Sequence, residues 1–318
     1  MAGRRQLSLF PETTLRDVAE AVRMAGVDGL DAERRADDAR YVDVQVRSAL
    51  TESRGMPFRW ALNPYRGCTH ACEYCYARKY QRHLEMGPGD DFSSVILVKR
   101  NLPAVLRREV ARASWAHERV AIGTATDPYQ PIEGEAQLTR RSLEVLIDAR
   151  TPVSITTKGP LVVRDADLLA QATAGAGAMV FVSVPSVDDA AWRHLEPGTA
   201  PPLQRIRAAG YLRGRGVDAR VLMMPLVPGI TTPRPVVERT LQAIAAAGVP
   251  LAGAGVAHLD SGVRDHFLAF LSRTYPDLVE GYGRLYAGAY APAGYARQVA
   301  AMVHAIAAKV GLRPGSRQ

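Results

Sequence analysis

The 318-residue sequence predicts an α/β fold, a (βα)6 partial barrel with a C-terminal helical extension. Short β-rich apolar runs alternate with stretches whose apolar residues recur at helical spacing, which is the mark of parallel βα units. A 47% apolar content over this length is enough for one large core. A tight group of cysteines follows the first run, where a strand end would present it.

Taken in order, residues 1–55 are charged and lack a sustained apolar face, so they are expected to form a partly flexible extension, with the folded unit starting near Met56. A strand at Arg59–Asn63 leads into the cysteines, and a helix from Arg78 to Glu85 follows. After the short Val95–Lys99 run and a helix from Leu102, five more strands are expected at Arg119–Thr126, Val153–Thr157, Met179–Val184, Ala219–Pro225 and Gly253–His258. Leu138, Leu143, Leu146 and Ile147 mark one intervening helix, and Val236, Val237, Leu241, Ile244 and Ala245 another. Beyond Ser272, the spacing of Tyr275, Tyr282, Tyr286, Tyr290 and Tyr295 reads as terminal helices that use tyrosine for packing.

With 40 basic and 32 acidic residues the net charge is +8, which favours a polyanionic partner without identifying one. Arg107-Arg108 and Arg205, Arg207, Arg213 and Arg215 suit solvated helix faces as well as a binding track. No apolar run reaches membrane length and the N-terminus lacks a signal-peptide core, so a cytoplasmic protein is expected.

Cys68, Cys72 and Cys75 are the chain's 3 cysteines, at C-x3-C-x2-C spacing. Three thiolates from one loop can hold three irons of a [4Fe-4S] cluster and leave the fourth iron open to an outside chelator. Zinc would want a fourth ligand, for which His70 in the same loop is the nearby candidate, and an odd cysteine number argues against a disulfide framework. The run Asn63 to Arg78, with aromatic Tyr74 before the last cysteine, resembles the signature of radical SAM enzymes. In those enzymes S-adenosylmethionine (SAM) chelates the open iron and is cleaved reductively to a 5'-deoxyadenosyl radical. The resemblance implies the partial TIM barrel of the radical SAM type, both cofactors, and an external electron donor such as flavodoxin or ferredoxin.

Polar residues just past strand ends carry the most weight, because barrels of this kind place chemistry there. Thr124, Thr126 and Asp127 follow the second strand, where small hydroxyls and an acid suit the SAM amino group and ribose, although Asp127-Pro128 also reads as a turn. Lys158, one of four lysines, ends the third strand and suits the SAM carboxylate, a substrate phosphate or plain solvent. Ser183 ends the fourth strand as a candidate SAM contact, with Arg193 and Glu196 nearby as loop-fixing residues. Met224 ends the fifth, either as a wall of an adenine pocket or as core.

The order of the cysteine loop, Thr126-Asp-Pro-Tyr-Gln-Pro, Thr157-Lys-Gly and Leu195-Glu-Pro-Gly-Thr-Ala-Pro resembles the spore photoproduct lyase-like branch of the radical SAM enzymes, from about Phe58 to Tyr290. That branch's namesake reverses a thymine dimer in DNA. The resemblance places SAM contacts on Lys158 and Ser183 and radical-propagating tyrosines on Tyr74 and Tyr76. The lyase's hydrogen-donating cysteine falls in Thr124-Ala125-Thr126, where this chain has none, so Tyr76 or Tyr129 would have to donate, unless the reaction ends otherwise or the substrate is not a photodimer.

Gln6, Leu7, Leu9 and Phe10 resemble the pentapeptide that docks bacterial DNA polymerases and repair proteins on the replication sliding clamp. Together with the basic balance this favours a nucleic-acid lesion, DNA above all, as substrate. The competing readings are the same radical machinery acting on a small metabolite or peptide, and a non-catalytic iron-sulfur adaptor.

Overall fold

The computed structural model describes residues 14–25, 33–34, 39–53 and 55–312. Residues 6–10, with the clamp-like peptide, lie outside the described residues.

Six parallel strands form the main sheet: β1 (Trp60–Leu62), β2 (Val120–Ile122), β3 (Val153–Thr157), β4 (Ala178–Ser183), β5 (Asp218–Leu226) and β6 (Leu251–Val256). They lie side by side in chain order, and Leu50–Glu52 is added antiparallel outside β1, so the barrel is open between that strand and β6. The register runs Leu62 to Ile122, Ile122 to Ile155, and Ile155 to Val180 across the first four strands. Alternate residues of β3 and β4 are fully buried while those between are only partly exposed, because both faces of a parallel sheet are covered.

The crossover helices include Leu102–Val110, Leu138–Asp148, Ala166–Ala174, Pro202–Gly214 and Arg234–Ala246. In Leu138–Asp148 the buried residues Leu138, Ser142, Leu143, Val145 and Leu146 recur at three- to four-residue spacing and so share the inward face. Leu62, Ile122, Ile155, Val180 and Val221 join helix residues such as Leu106, Leu143 and Ile244 in one continuous core. Each such side chain contributes about 1.5–3 kcal/mol through burial. Three further helices, Arg264–Thr274, Val279–Leu285 and Ala293–Lys309, follow β6, and the last packs on β6 and Arg234–Ala246.

Two sequence expectations change. The folded part does not begin at Met56: Arg40–Val44 pairs in parallel with Val95–Lys99 in a second, four-stranded sheet, and Leu50–Glu52 pairs with β1. Tyr41, Val42 and Val44 are buried there, a short apolar face that the charges around it hide. The expected α-helix from Arg78 to Glu85 is a 3₁₀ helix, Tyr76–Leu84, ended by Glu85 at φ 59°.

Candidate active site

At the carboxyl ends of the strands lies a cavity of about 410 Å3, and the sequence lines it from every strand of the barrel. Cys68, Cys72, Tyr74, Cys75 and Tyr76 enter from the loop after β1, and Thr124, Thr126 and Asp127 from the end of β2. Lys158 comes from β3, Ser183 from β4, Met224 from β5 and His258 from β6. Eleven of the twelve sequence-predicted site residues therefore share one space. Tyr129 does not. Its ring is buried in the main core and its hydroxyl donates to Asp165 at 3.1 Å, so it faces away and is no candidate hydrogen donor.

The cysteine loop is held by backbone. Gly67 stands at φ +82°, with the Val95 carbonyl 2.4 Å from where a Cβ would sit, so glycine alone lets the loop turn against that strand. Cys68 N–H donates to Phe92 O at 2.9 Å and Glu73 N–H to Leu195 O at 3.0 Å. Arg78, not among the site residues expected from sequence, is buried over the Phe92 ring and donates to the carbonyls of Ala71 (2.8 Å) and Cys72 (3.0 Å). Gly198 seals the other side, donating to His70 O at 3.1 Å and leaving no room for a side chain, since a Cβ would stand 2.1 Å from Thr69 O.

Several strand-end polar groups of the cavity also serve this loop. Thr126 donates to Gly67 O at 2.6 Å, and Gln130 donates to Thr126 Oγ1 at 2.9 Å. Asp127 accepts from Thr157 (2.6 Å), Lys158 N–H (2.6 Å) and Tyr129 N–H (2.9 Å) and pairs with His70 at 3.2 Å. Burial opposes its charge, but His70 and these donors outweigh that and hold its carboxyl down at about 2. Burial likewise opposes a charge on His70, yet Cys68 and Asp127 lift its pKa to about 10. Thr126 and Asp127 thus line the cavity and also brace the cysteine loop, because buried polar groups take the partners nearest them. Thr124 accepts from Asn63 Nδ2 at 3.0 Å, and Tyr76 donates to Thr124 O at the cavity's half-open edge.

Behind the cysteines sits a buried ion cluster. Glu196 accepts from Tyr74 and from Arg205 at 2.5 Å, and Lys158 Nζ stands 3.9 Å away, 5.6 Å over the Tyr74 ring. Arg205 also donates to Ser183 O at 3.0 Å, and Ser183 donates to Met224 O at 2.8 Å, which ties the ends of β4 and β5 to the same cluster. Burial raises the Glu196 pKa, and Arg205 and Lys158 more than reverse the effect. Burial disfavours the Lys158 charge, but Cys72 and Glu196 overcome it, so a cation stands at the cavity wall. Arg205 is fully buried, so it belongs neither to a solvated helix face nor to a binding track, the two readings open in the sequence; Arg207, Arg213 and Arg215 are exposed.

The donor set fits an iron-sulfur cluster. The cysteines are unpaired thiols, and Cys72 and Cys75 are pushed up by burial and by neighbouring thiols, a strain that bound iron would relieve. Next to Cys68 the Thr69 hydroxyl is buried without a hydrogen-bond partner, an orphaned polar atom beside the thiols. Lys158, Ser183, Thr124, Met224, Leu222 and Val256 line the cavity beside the cysteines, where SAM would be held.

Comparison with known proteins agrees with this geometry. The sequence model described as the Radical SAM superfamily matches residues 62–234. An uncharacterized protein of Mycobacterium tuberculosis is 38% identical over 280 residues, covering 87% of this chain and 82% of its own. An uncharacterized protein of Methanocaldococcus jannaschii is 26% identical over 189 residues, 59% of this chain and 68% of its own. Among solved structures, spore photoproduct lyase complexed with dinucleoside spore photoproduct shares the fold at TM-score 0.65 and 17% identity, covering 96% of this chain and 85% of that one. A mutant of the same lyase with bound AdoMet and dinucleoside spore photoproduct gives TM-score 0.64 at 16% identity over the same shares.

Proposed function

Because the chain belongs to the radical SAM superfamily, we propose that it is an enzyme that abstracts hydrogen from a nucleic-acid substrate, a DNA lesion above all. The observation that carries this is the convergence of Cys68, Cys72 and Cys75 with Lys158, Ser183 and Met224 on one cavity at the strand ends. When bound, the cluster supplies one electron and SAM the 5'-deoxyadenosyl radical that removes a substrate hydrogen.

The chain's own residues then have distinct tasks. The three cysteines hold the cluster, and Arg78 and Gly198 keep their loop rigid by occupying its carbonyls and its outer face. Lys158, kept charged by Glu196, sits where a carboxylate would be neutralised, and Ser183 lies beside it. Tyr76, at the cavity edge with its hydroxyl on Thr124 O, is the candidate to return a hydrogen to the product, since Tyr129 faces the core. Tyr74 lies deeper, its hydroxyl donating to Glu196.

The nucleic-acid substrate is supported by the lyase of the same fold that is complexed with a dinucleoside photoproduct, and by the net charge of +8. Gln6, Leu7, Leu9 and Phe10 would dock the enzyme on the replication clamp, and a small reduced donor such as flavodoxin or ferredoxin would deliver the electron. The test is deuterium transfer: oligonucleotides with thymine photolesions, deuterated in the damaged bases, should pass label to 5'-deoxyadenosine. Label arriving from a metabolite or peptide instead, and never from nucleic acid, would contradict the proposal.

A further inference from the structure

We infer that His258 and Tyr290 form a stacking platform that receives an unstacked nucleobase at the mouth of the cavity. The inference rests on the nucleic-acid reading above and names the surface that would take the substrate.

Tyr275, Tyr282, Tyr286 and Tyr295, the other tail tyrosines, are spent inside the protein. The Tyr282 hydroxyl donates to Pro228 O at 2.7 Å and that of Tyr286 to Ala257 O at 2.8 Å, their rings stacked 5.5 Å apart. Tyr275 meets His194 at 2.8 Å and Tyr295 meets Thr232 at 3.2 Å. Tyr290 differs. It is 72% exposed, and its ring lies on His258 at 4.2 Å with the planes 18° apart.

His258 follows β6 and lines the cavity, so the stacked pair continues the cavity wall outward. The pair is fixed by backbone, with His258 and Tyr290 forming an antiparallel bridge and Leu259 N–H donating to Ala289 O at 2.9 Å. A ring fixed in advance has little freedom left to lose on binding. Beside His258 on the chain, Asp260 holds Lys79 Nζ at 2.7 Å, and Lys79 lies 5.4 Å over the Tyr80 ring. Gly262 allows this approach, since a Cβ there would meet Lys79 Cβ at 2.5 Å. A flat, exposed aromatic face fixed in place is the chemistry that takes an unstacked base.

Size argues the same way. A cavity of about 410 Å3 falls in the lower part of the usual ~300–1,000 Å3 range for ligand sites. A cavity of that volume is too small to admit a duplex, so the reacting base must come out of its stack to reach the strand ends. A ring waiting at the mouth compensates for the stacking that the base leaves behind.

The test is equilibrium binding of a short fluorescent single-stranded oligonucleotide to the full chain with its cluster reconstituted, comparing preparations of equal iron content. Tyr290→Ala should weaken binding by about tenfold and Tyr290→Trp should keep it within about twofold. His258→Ala, which removes the supporting ring, should weaken it in the same direction. If the wild-type chain binds and Tyr290→Ala binds as tightly, the platform is wrong and the nucleic-acid reading stands. Equal losses in Tyr290→Ala and Tyr290→Trp would show that the tyrosine only shapes the tail, which also overturns the platform. A wild-type chain that binds no oligonucleotide overturns both.

Discussion

Glu196 is the residue on which most of the site turns, since one carboxylate receives Tyr74 and Arg205 and faces Lys158. Removing it leaves the fully buried Arg205 without a counter-charge, so Glu196→Ala should cost about 3–5 kcal/mol in urea unfolding. Glu196→Gln, which keeps one oxygen acceptor for either Tyr74 or Arg205 but not for both, should cost less than alanine. A second residue-scale prediction concerns Lys99, whose amine donates to Asn63 O at 2.7 Å while burial, aided by the Arg66 charge, pushes its pKa down from 10.5 to about 8. Between those two values the unfolded chain holds a proton that the folded chain has released, so this site's contribution to stability rises with pH from 8 to 10.5. Subtracting the pH profile of Lys99→Met from that of the wild type should reveal that rise, and a flat difference would contradict it. The cysteines, Lys158 and Ser183 were legible in the sequence because strand ends and spacing mark them. Glu196 was legible only as a loop-fixing residue and Arg205 only as part of a helix face or binding track, because the sequence does not pair two charges nine residues apart until the helix Pro202–Gly214 turns Arg205 inward.

At the scale of elements, the segment Leu195–Thr199 works as a clasp. Its backbone bonds to Glu73 and His70, and its glycine lets it lie directly on the cysteine loop. Gly198→Ala would force a methyl against the Thr69 carbonyl and shift that loop, so reconstituted iron per chain should fall well below wild type while the far-UV spectrum is retained. Normal iron content in this variant would show that the clasp does not position the cysteines. All six barrel strands could be read from alternating apolar runs. The edge elements could not: Arg40–Val44 and Leu50–Glu52 are short, and charged flanks conceal the buried faces that make them strands. Tyr129 was misjudged for a related reason. Its segment leaves the strand end polar, but the chain turns after Pro128 and sends the ring into the core.

For the whole molecule, the open barrel sets the order of events by placing the cysteine loop, the Lys158 cation and the apolar Met224 wall on one rim, with the His258–Tyr290 pair at its β6 side. Among the described residues no helix is long and apolar enough to cross a membrane. The account depends on the three thiols binding a cluster that leaves one iron open to SAM. The most direct measurement is therefore 5'-deoxyadenosine formation by the anaerobically reconstituted chain with dithionite and SAM, beside Cys72→Ala treated identically. Nucleoside from the wild-type chain and none from the variant is the predicted result. A wild-type chain that binds iron but yields no 5'-deoxyadenosine would contradict the account.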